Sequence, residues 1–476
     1  GRIAACARKA FCQRKDSSML FSLKGIHLPH RKNTAGMPAK PITPPPFVVL
    51  PMSMHIGRPA VPTVRVGDTV YVGQKIGEAS APVSSPIHAS VSGTVKKIEN
   101  MLLSNGTYVP AVQIESDGQM TPDPHLAPPT ITDKTEFLSA VRESGVVGLG
   151  GAGFPMHIKL GVPDGVKIRA LIINGAECEP YITSDTRAMI DRTQEIGEGI
   201  AFITRFLSID TVLVGIEKNK PEAIAAMRTL EGKIPGLRVV PLKSVYPQGG
   251  EKVLIYHLTG QKVPEGKLPL DVGCIVCNCT TVAALAQYIQ TGMPLVRKCV
   301  TVDGSAVRTP GNFWVPIGTP MSFVFGEAGG FSEPPQKLLY GGPMMGIAVP
   351  DAEQPILKNT NAILAFGAKE AHAPPMTACI HCGRCVNHCP FGLRSTDIAA
   401  AFRAGDGAAL ERLHVSVCME CGCCAYVCPA GRPLVQTNKL AKGMLRDYLA
   451  KKKQEREEAE RNAAHAKENG IRVDGK

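Results

Sequence analysis

Two cysteine runs near the C-terminus constrain this chain most. Cys379-Ile-His-Cys382-Gly-Arg-Cys385-Val-Asn-His-Cys389-Pro390 and Cys418-Met-Glu-Cys421-Gly-Cys423-Cys424-Ala-Tyr-Val-Cys428-Pro429 both satisfy C-x2-C-x2-C-x3-C-P, a spacing that ligates 4Fe-4S clusters. Three closely spaced thiolates wrap one cubane, and the x3 step turns the chain so that the fourth cysteine serves the other cluster. One cluster is therefore expected on Cys379, Cys382, Cys385 and Cys428, the other on Cys418, Cys421, Cys424 and Cys389. A zinc site would use two ligand pairs rather than four thiols closed by proline. Cys423 lies inside the second run but off the spacing and is expected to be a spare thiol.

Composition narrows the rest. The 476 residues suffice for three or four domains, and 44% hydrophobic with 20% charged residues is a globular balance. Sixteen cysteines in so long a chain do not make a small secreted scaffold, and thiolate clusters need reducing conditions, which points to the cytoplasm. No stretch approaches the roughly 18 to 20 apolar residues of a membrane span. The net charge of +12 admits docking on an anionic membrane surface or an acidic electron carrier, or simply a solvated basic surface. A nucleic-acid role finds no recognition helix or stacking motif, and there is one Trp. Residues 1–18 are basic, begin at Gly1 and fit no domain pattern. They read as a poorly ordered extension, a processing remnant, or sequence upstream of a start at Met19.

Along the chain, 19–116 reads as an N-terminal segment followed by short strands with Gly-Asp turns. The layout Val66-Gly-Asp68, Gly73-Gln-Lys-Ile-Gly77 and Ser85-Pro-Ile-His-Ala-Ser-Val-Ser-Gly-Thr-Val95 resembles the barrel-sandwich hybrid of biotinyl and lipoyl carriers. The tip, Ser84 to His88, lacks the acceptor lysine of those carriers, so docking is favoured over a swinging arm. A proline-rich linker spans 117–135. From 136 to 294 strands alternate with helices, which implies a mainly parallel sheet. Short strands return over 295–350, a linker is expected at 351–372, the cluster region covers 373–440, and a charged helical tail covers 441–476.

The α/β region carries the second signal, Gly148-Leu-Gly150-Gly151-Ala-Gly153-Phe-Pro155. It satisfies G-x-G-x-x-G but follows a predicted helix rather than a strand, so it is not a standard dinucleotide fingerprint. Its glycines still permit close backbone approach to a phosphate or ring, and Lys159 just beyond is a candidate phosphate partner. Asn174-Gly-Ala176-Glu177-Cys178-Glu179-Pro180 follows a buried strand, where open α/β sheets bind ligands. Tyr246-Pro-Gln-Gly249-Gly250-Glu251-Lys252 places glycines before a helix. Asn278 and Thr281 follow another apolar strand. Cys274, Cys277 and Cys279 are expected on that strand as buried small hydrophobes, Cys277 and Cys279 on one face and Cys274 on the other. His381 and His388 are expected to be exposed.

These segments resemble the FMN and NADH segments of the flavoprotein subunit of respiratory complex I, and 295–350 resembles its β-grasp (SLBB) domain. The full order, with Gly341-Gly-Pro-Met-Met-Gly346 before the cysteine runs, resembles the C subunits of bacterial Rnf complexes, the ion-translocating ferredoxin:NAD oxidoreductases. The resemblance implies a multidomain α/β fold: a β barrel-sandwich hybrid, a Rossmann-like FMN/NADH domain, an SLBB β-grasp domain and an α-helical double 4Fe-4S ferredoxin domain. It implies non-covalent FMN held by Gly148, Gly150, Gly151, Gly153, Lys159, Asn174, Glu177, Tyr246, Gly249, Glu251, Asn278 and Thr281, with Glu179 nearer NADH. Ala176 and Gly250 depart from the complex I pattern, which has an aspartate and a glutamate there. The implied role is electron entry between NADH, FMN and two 4Fe-4S clusters, peripheral to the cytoplasmic side of the bacterial inner membrane. The implied partners are the other Rnf-type membrane subunits and, indirectly, ferredoxin, with no nucleic acid. The alternatives are a soluble relative of the proline-reductase carrier or cobalamin-reductase type, and a non-catalytic iron–sulfur adaptor.

Overall fold

A computed structural model describes residues 23–104 and 106–468; the expected extension at 1–18 lies outside them. The chain divides into two compact units, one comprising most of the chain to His372 and the other centred on Ala373–Lys476.

The first unit begins with a β sandwich. One sheet orders Phe47–Pro51, Tyr108–Ser116, Gly93–Leu102 and Thr69–Val70; the other orders Val61–Pro62, Lys75–Glu78 and Ile87–His88. Val48, Leu50, Ile76, Val95, Val112 and Ile114 are buried between them, the alternation expected of strands with one face inward. Irregular chain then leads into helix Lys134–Glu143, capped by Asp133 accepting from Glu136 N.

The α/β region is a four-stranded parallel sheet in the order Leu237–Leu242, Val212–Glu217, Ala170–Gly175, Cys274–Asn278. The two inner strands carry near-continuous Val, Ile and Leu, as burial on both faces demands. In chain order the strands run 3-2-1-4, so the winding reverses between Ala170–Gly175 and Cys274–Asn278. Open α/β sheets bind ligands at the carboxyl ends of the strands flanking such a reversal. The strand ends at Asn278, so Cys279 opens a helix, Cys279–Thr291, rather than continuing the strand. Cys277 and Cys279 still pack into one core and Cys274 into another.

Next comes a mixed six-stranded sheet ordered Lys40–Pro41, Gly311–Pro316, Arg297–Asp303, Ala362–Phe366, Lys337–Tyr340, Ile347–Val349. Helix Met321–Glu327 belongs to this part, and Met321, Val324 and Phe325 join its core. Two expectations change here. The stretch 351–372 is not simply a linker, because Ala362–Phe366 is a buried strand in the middle of this sheet. The N-terminal segment does not belong wholly to the sandwich, because Lys40–Pro41 pairs with Phe313 and Trp314.

The second unit is helical. Short helices Arg384–Asn387 and Cys423–Tyr426 follow the two Cys-x-x-Cys turns, and Ser395–Arg403 and Gly407–Arg412 lie between the runs. The expected helix and charged tail form one helix, Leu434–Glu468. Ala441 and Leu445 bury its first half against Ile398 and Leu410. No helix among the described residues is long and apolar enough to cross a membrane.

Candidate functional site

The two asparagines singled out in the sequence terminate the strands at the winding reversal, and they are register partners, Asn278 opposite Asn174. Asn278 caps helix Cys279–Thr291, its Oδ1 accepting from Thr280 N and Thr281 N, while its Nδ2 donates to Asp185 at 2.7 Å. Thr281 Oγ1 accepts from Leu149 N at 2.9 Å, so the glycine loop is fixed to the start of that helix. Gly150 lies so close to Asn278 that a Cβ would sit 2.5 Å from Nδ2, whereas a Cβ on Gly151 would meet nothing within 4 Å. Gly148 N donates to Phe154 O, and Gly153 has φ +70°, the left-handed region that favours glycine. Among the described residues, the N–H groups of Gly150, Gly151, Ala152 and Gly153 find no acceptor. The exposed stretch from Gly150 to Ala152 thus presents free amide donors beside a helix N-terminus, a setting for an anion and a flat ring.

Asn174 Nδ2 donates to Gly249 O at 2.9 Å, and Gly249 N donates to Cys178 Sγ at 3.3 Å, closing the second wall. Burial pushes the Cys178 thiol up to about 12, so it is a packing group rather than a nucleophile. Lys159 pairs with Glu251 at 2.9 Å and also donates to Val276 O, bringing the lysine beyond the glycine loop to the start of helix Glu251–Thr259.

The loop 174–180 is held more tightly than its sequence suggests. Glu177, at φ +44° and buried, accepts from Asp185 N at 2.6 Å, from Thr186 N at 3.2 Å and from the Thr186 hydroxyl. Its carboxylate caps helix Ser184–Asp191, where the dipole favours negative charge. Burial raises its pKa against the pull of Lys32. Lys32, from the N-terminal segment, donates to Glu177 O, Glu179 O and Ile182 O at 2.8, 2.8 and 2.5 Å. Lys220 donates to Ala176 O at 2.7 Å and pairs with buried Glu217 at 3.1 Å. Both lysines escaped sequence reasoning, since nothing local marks a lysine that will serve backbone carbonyls far away in the chain. Glu179 accepts from Met344 N at 3.1 Å, Met345 N at 2.8 Å and Tyr246 OH at 3.4 Å. The 341–346 glycine–methionine loop therefore rests on this carboxylate, whose pKa burial pushes up to about 7.

In the second unit, one cavity is lined by Cys379, Cys382, Cys385 and Cys428, and a separate one by Cys389, Cys418, Cys421 and Cys424 with Cys423. These are the crossed sets expected from the spacing. Among the described residues no three His, Cys, Asp or Glu side chains converge closely enough to hold a metal ion. His381 is exposed, and its N–H donates to Cys379 Sγ at 3.4 Å. His388 is half-buried and contacts Arg384 O. Asn438 Nδ2 donates to Cys418 Sγ at 3.6 Å, a sulfur contact of the kind that tunes cluster potential.

Four family models match in series: the RnfC barrel-sandwich hybrid domain over 21–119, the Nuo51 FMN-binding domain over 141–287, the SLBB domain over 299–348 and a 4Fe-4S dicluster domain over 378–432. The C subunit of the Na(+)-translocating ferredoxin:NAD(+) oxidoreductase complex of Acetobacterium woodii is 41% identical over 379 residues, covering 79% of this chain and 86% of the relative. The C subunit of the ion-translocating oxidoreductase complex of Rhodobacter capsulatus is 41% identical over 443 residues, 91% of this chain and 85% of the relative. The proton-translocating counterpart from Clostridium ljungdahlii is 40% identical over 381 residues, 79% and 83% of the respective chains. With these four domains in this order and such identity over most of its length, the chain belongs to the RnfC family, the C subunits of ion-translocating ferredoxin:NAD oxidoreductase (Rnf) complexes.

Proposed function

We propose that this chain is the electron-entry subunit of an ion-translocating ferredoxin:NAD oxidoreductase complex, passing electrons between NADH, FMN and two 4Fe-4S clusters. The observation that carries the reading is the pairing of Asn174 and Asn278 at the winding reversal, with the glycine loop packed on one and Gly249 bonded to the other. The residues fit FMN: the loop 148–153 offers free N–H groups, Lys159 and Glu251 form a charged pair beside Asn174 and Asn278, and Gly249 and Thr281 fix the walls. Bound FMN supplies the conversion of a two-electron hydride into single electrons, which cubanes require. The chain's residues bind and orient. Glu177 and Lys32 hold the 174–180 loop rigid, and Glu179 with Tyr246 fixes the 341–346 loop on the side assigned to NADH. Cys379, Cys382, Cys385 and Cys428 hold one cluster, and Cys418, Cys421, Cys424 and Cys389 the other. The other subunits of the complex supply ion translocation, and the chain docks peripherally on the cytoplasmic side of the membrane, with ferredoxin reached through those partners. Expression with its membrane subunits tests the assignment: the chain should co-purify with them in detergent. A chain that is active with NADH but never associates with them would instead be a soluble electron carrier.

A further inference from the structure

The glycine loop is gripped from behind by the six-stranded β-grasp domain, through contacts that no local sequence pattern announces. Lys298, on strand Arg297–Asp303, donates from Nζ to Leu149 O at 3.0 Å. Lys358, in the segment before strand Ala362–Phe366, donates to Gly145 O at 2.7 Å and Pro86 O at 2.7 Å. Its neighbour Asn359 donates to Gly151 O at 2.8 Å. Both lysines are 1% exposed, and neither has a carboxylate within ion-pair distance among the described residues. A buried ammonium without a counter-ion is costly. Lys298 has Asp185 as a more distant opposing charge, whereas burial acts on Lys358 alone. With the loop's outward N–H groups also unpaired, the positive charge on this side of the loop is one that a bound dianion would offset.

We propose that Lys298 and Lys358 make the β-grasp domain the electrostatic floor of the flavin site: Lys298 holds the Leu149 carbonyl of the loop, Lys358 holds the Gly145 carbonyl on the approach to it, and both supply charge that retains the phosphate of FMN. This rests on the flavin reading above and adds to it a role for the β-grasp domain as a determinant of the phosphorylated over the unphosphorylated flavin. The two lysines are positioning residues, acting through the loop and through space.

The groups facing Lys358 sharpen the expectation. Its neighbours across the packing are His88 of the sandwich tip and His55, which follows strand Phe47–Pro51, with Lys75 acting on His88. His55 is lowered to about 4 and His88 well below its usual value, burial first and Lys358 second, so both are neutral above pH 7. Burial alone lowers Lys358 to about 7. A bound dianion favours the ammonium, so flavin binding draws a proton onto Lys358, and affinity falls as pH rises above about 7.

The test is equilibrium binding of FMN and of riboflavin to the full chain, with clusters intact, by quenching of flavin fluorescence. Wild type should prefer FMN. Lys358→Met and Lys298→Met should each weaken FMN by about tenfold more than riboflavin, and the FMN dissociation constant of wild type should rise from pH 7 to 9 while that of Lys358→Arg stays flat. Equal losses for both flavins, or none for either, would overturn the floor and leave the flavin site standing. Failure of wild type to bind either flavin would overturn both. If one methionine variant does not fold, Lys358→Arg, which keeps the charge, carries the pH comparison by itself.

Discussion

Lys32 shows how a single side chain can organise a site it does not visibly belong to. Its ammonium satisfies three carbonyls of the 174–182 segment and lies 3.8 Å from the buried Glu177 carboxylate. Burial lowers its pKa, and Glu177 opposes that shift. Lys32→Met would leave the carbonyls unmet and the buried Glu177 with only the weaker counter-charge of Lys220, and should cost about 3 kcal/mol by urea denaturation at pH 8. The sign of the pH dependence follows from Glu177. An acid whose folded pKa lies above its unfolded value favours the folded state below the unfolded pKa and loses that contribution as pH rises through the folded one. Removing Lys32 raises the Glu177 pKa further, so the loss should be smaller at pH 5 than at pH 8. A loss independent of pH would place the role of Lys32 elsewhere. Glu177 itself was legible as a residue that matters, though its carboxylate serves a helix N-terminus in addition to any ligand. Lys32 was not legible, because its first partner is 145 residues away and no periodicity encodes such a contact.

At the scale of elements, the glycine loop separates fold from ligand. Gly150 is confined by Asn278, while Gly151 faces open space. Gly150→Ala must displace the loop or the helix cap and should lower both thermal stability and FMN affinity. Gly151→Ala meets nothing in the protein, so its melting temperature should match wild type while FMN affinity falls by about tenfold. A Gly151→Ala protein with unchanged FMN affinity would place the flavin away from the loop. The strands and helices of the α/β sheet were readable from apolar runs and Pro or Gly boundaries; Leu237–Leu242 was expected and found. The strand Ala362–Phe366 was missed because a run of five apolar residues between loops carries no period that distinguishes a sheet strand from a linker. Its place in the sheet depends on partners 23 and more positions earlier in the chain. The crossed cysteine sets were readable because ligand spacing is a covalent constraint, independent of what packs around it.

On the scale of the whole chain, four domains in series were legible from motif order, and their interweaving was not. Lys40–Pro41 crosses to the β-grasp sheet, and the β-grasp lysines reach under the flavin-domain loop. As proposed, the chain is one device that takes a hydride at one site and delivers single electrons to two cubanes. Anaerobically purified wild-type chain, reconstituted with FMN and titrated with NADH while cluster absorbance and low-temperature EPR are recorded, tests this most directly. The expected result is one FMN and about eight iron atoms per chain, with NADH bleaching the cluster absorbance only when FMN is present. Intact clusters that NADH cannot reduce in the FMN-loaded chain, or that it reduces equally well without FMN, would contradict that route.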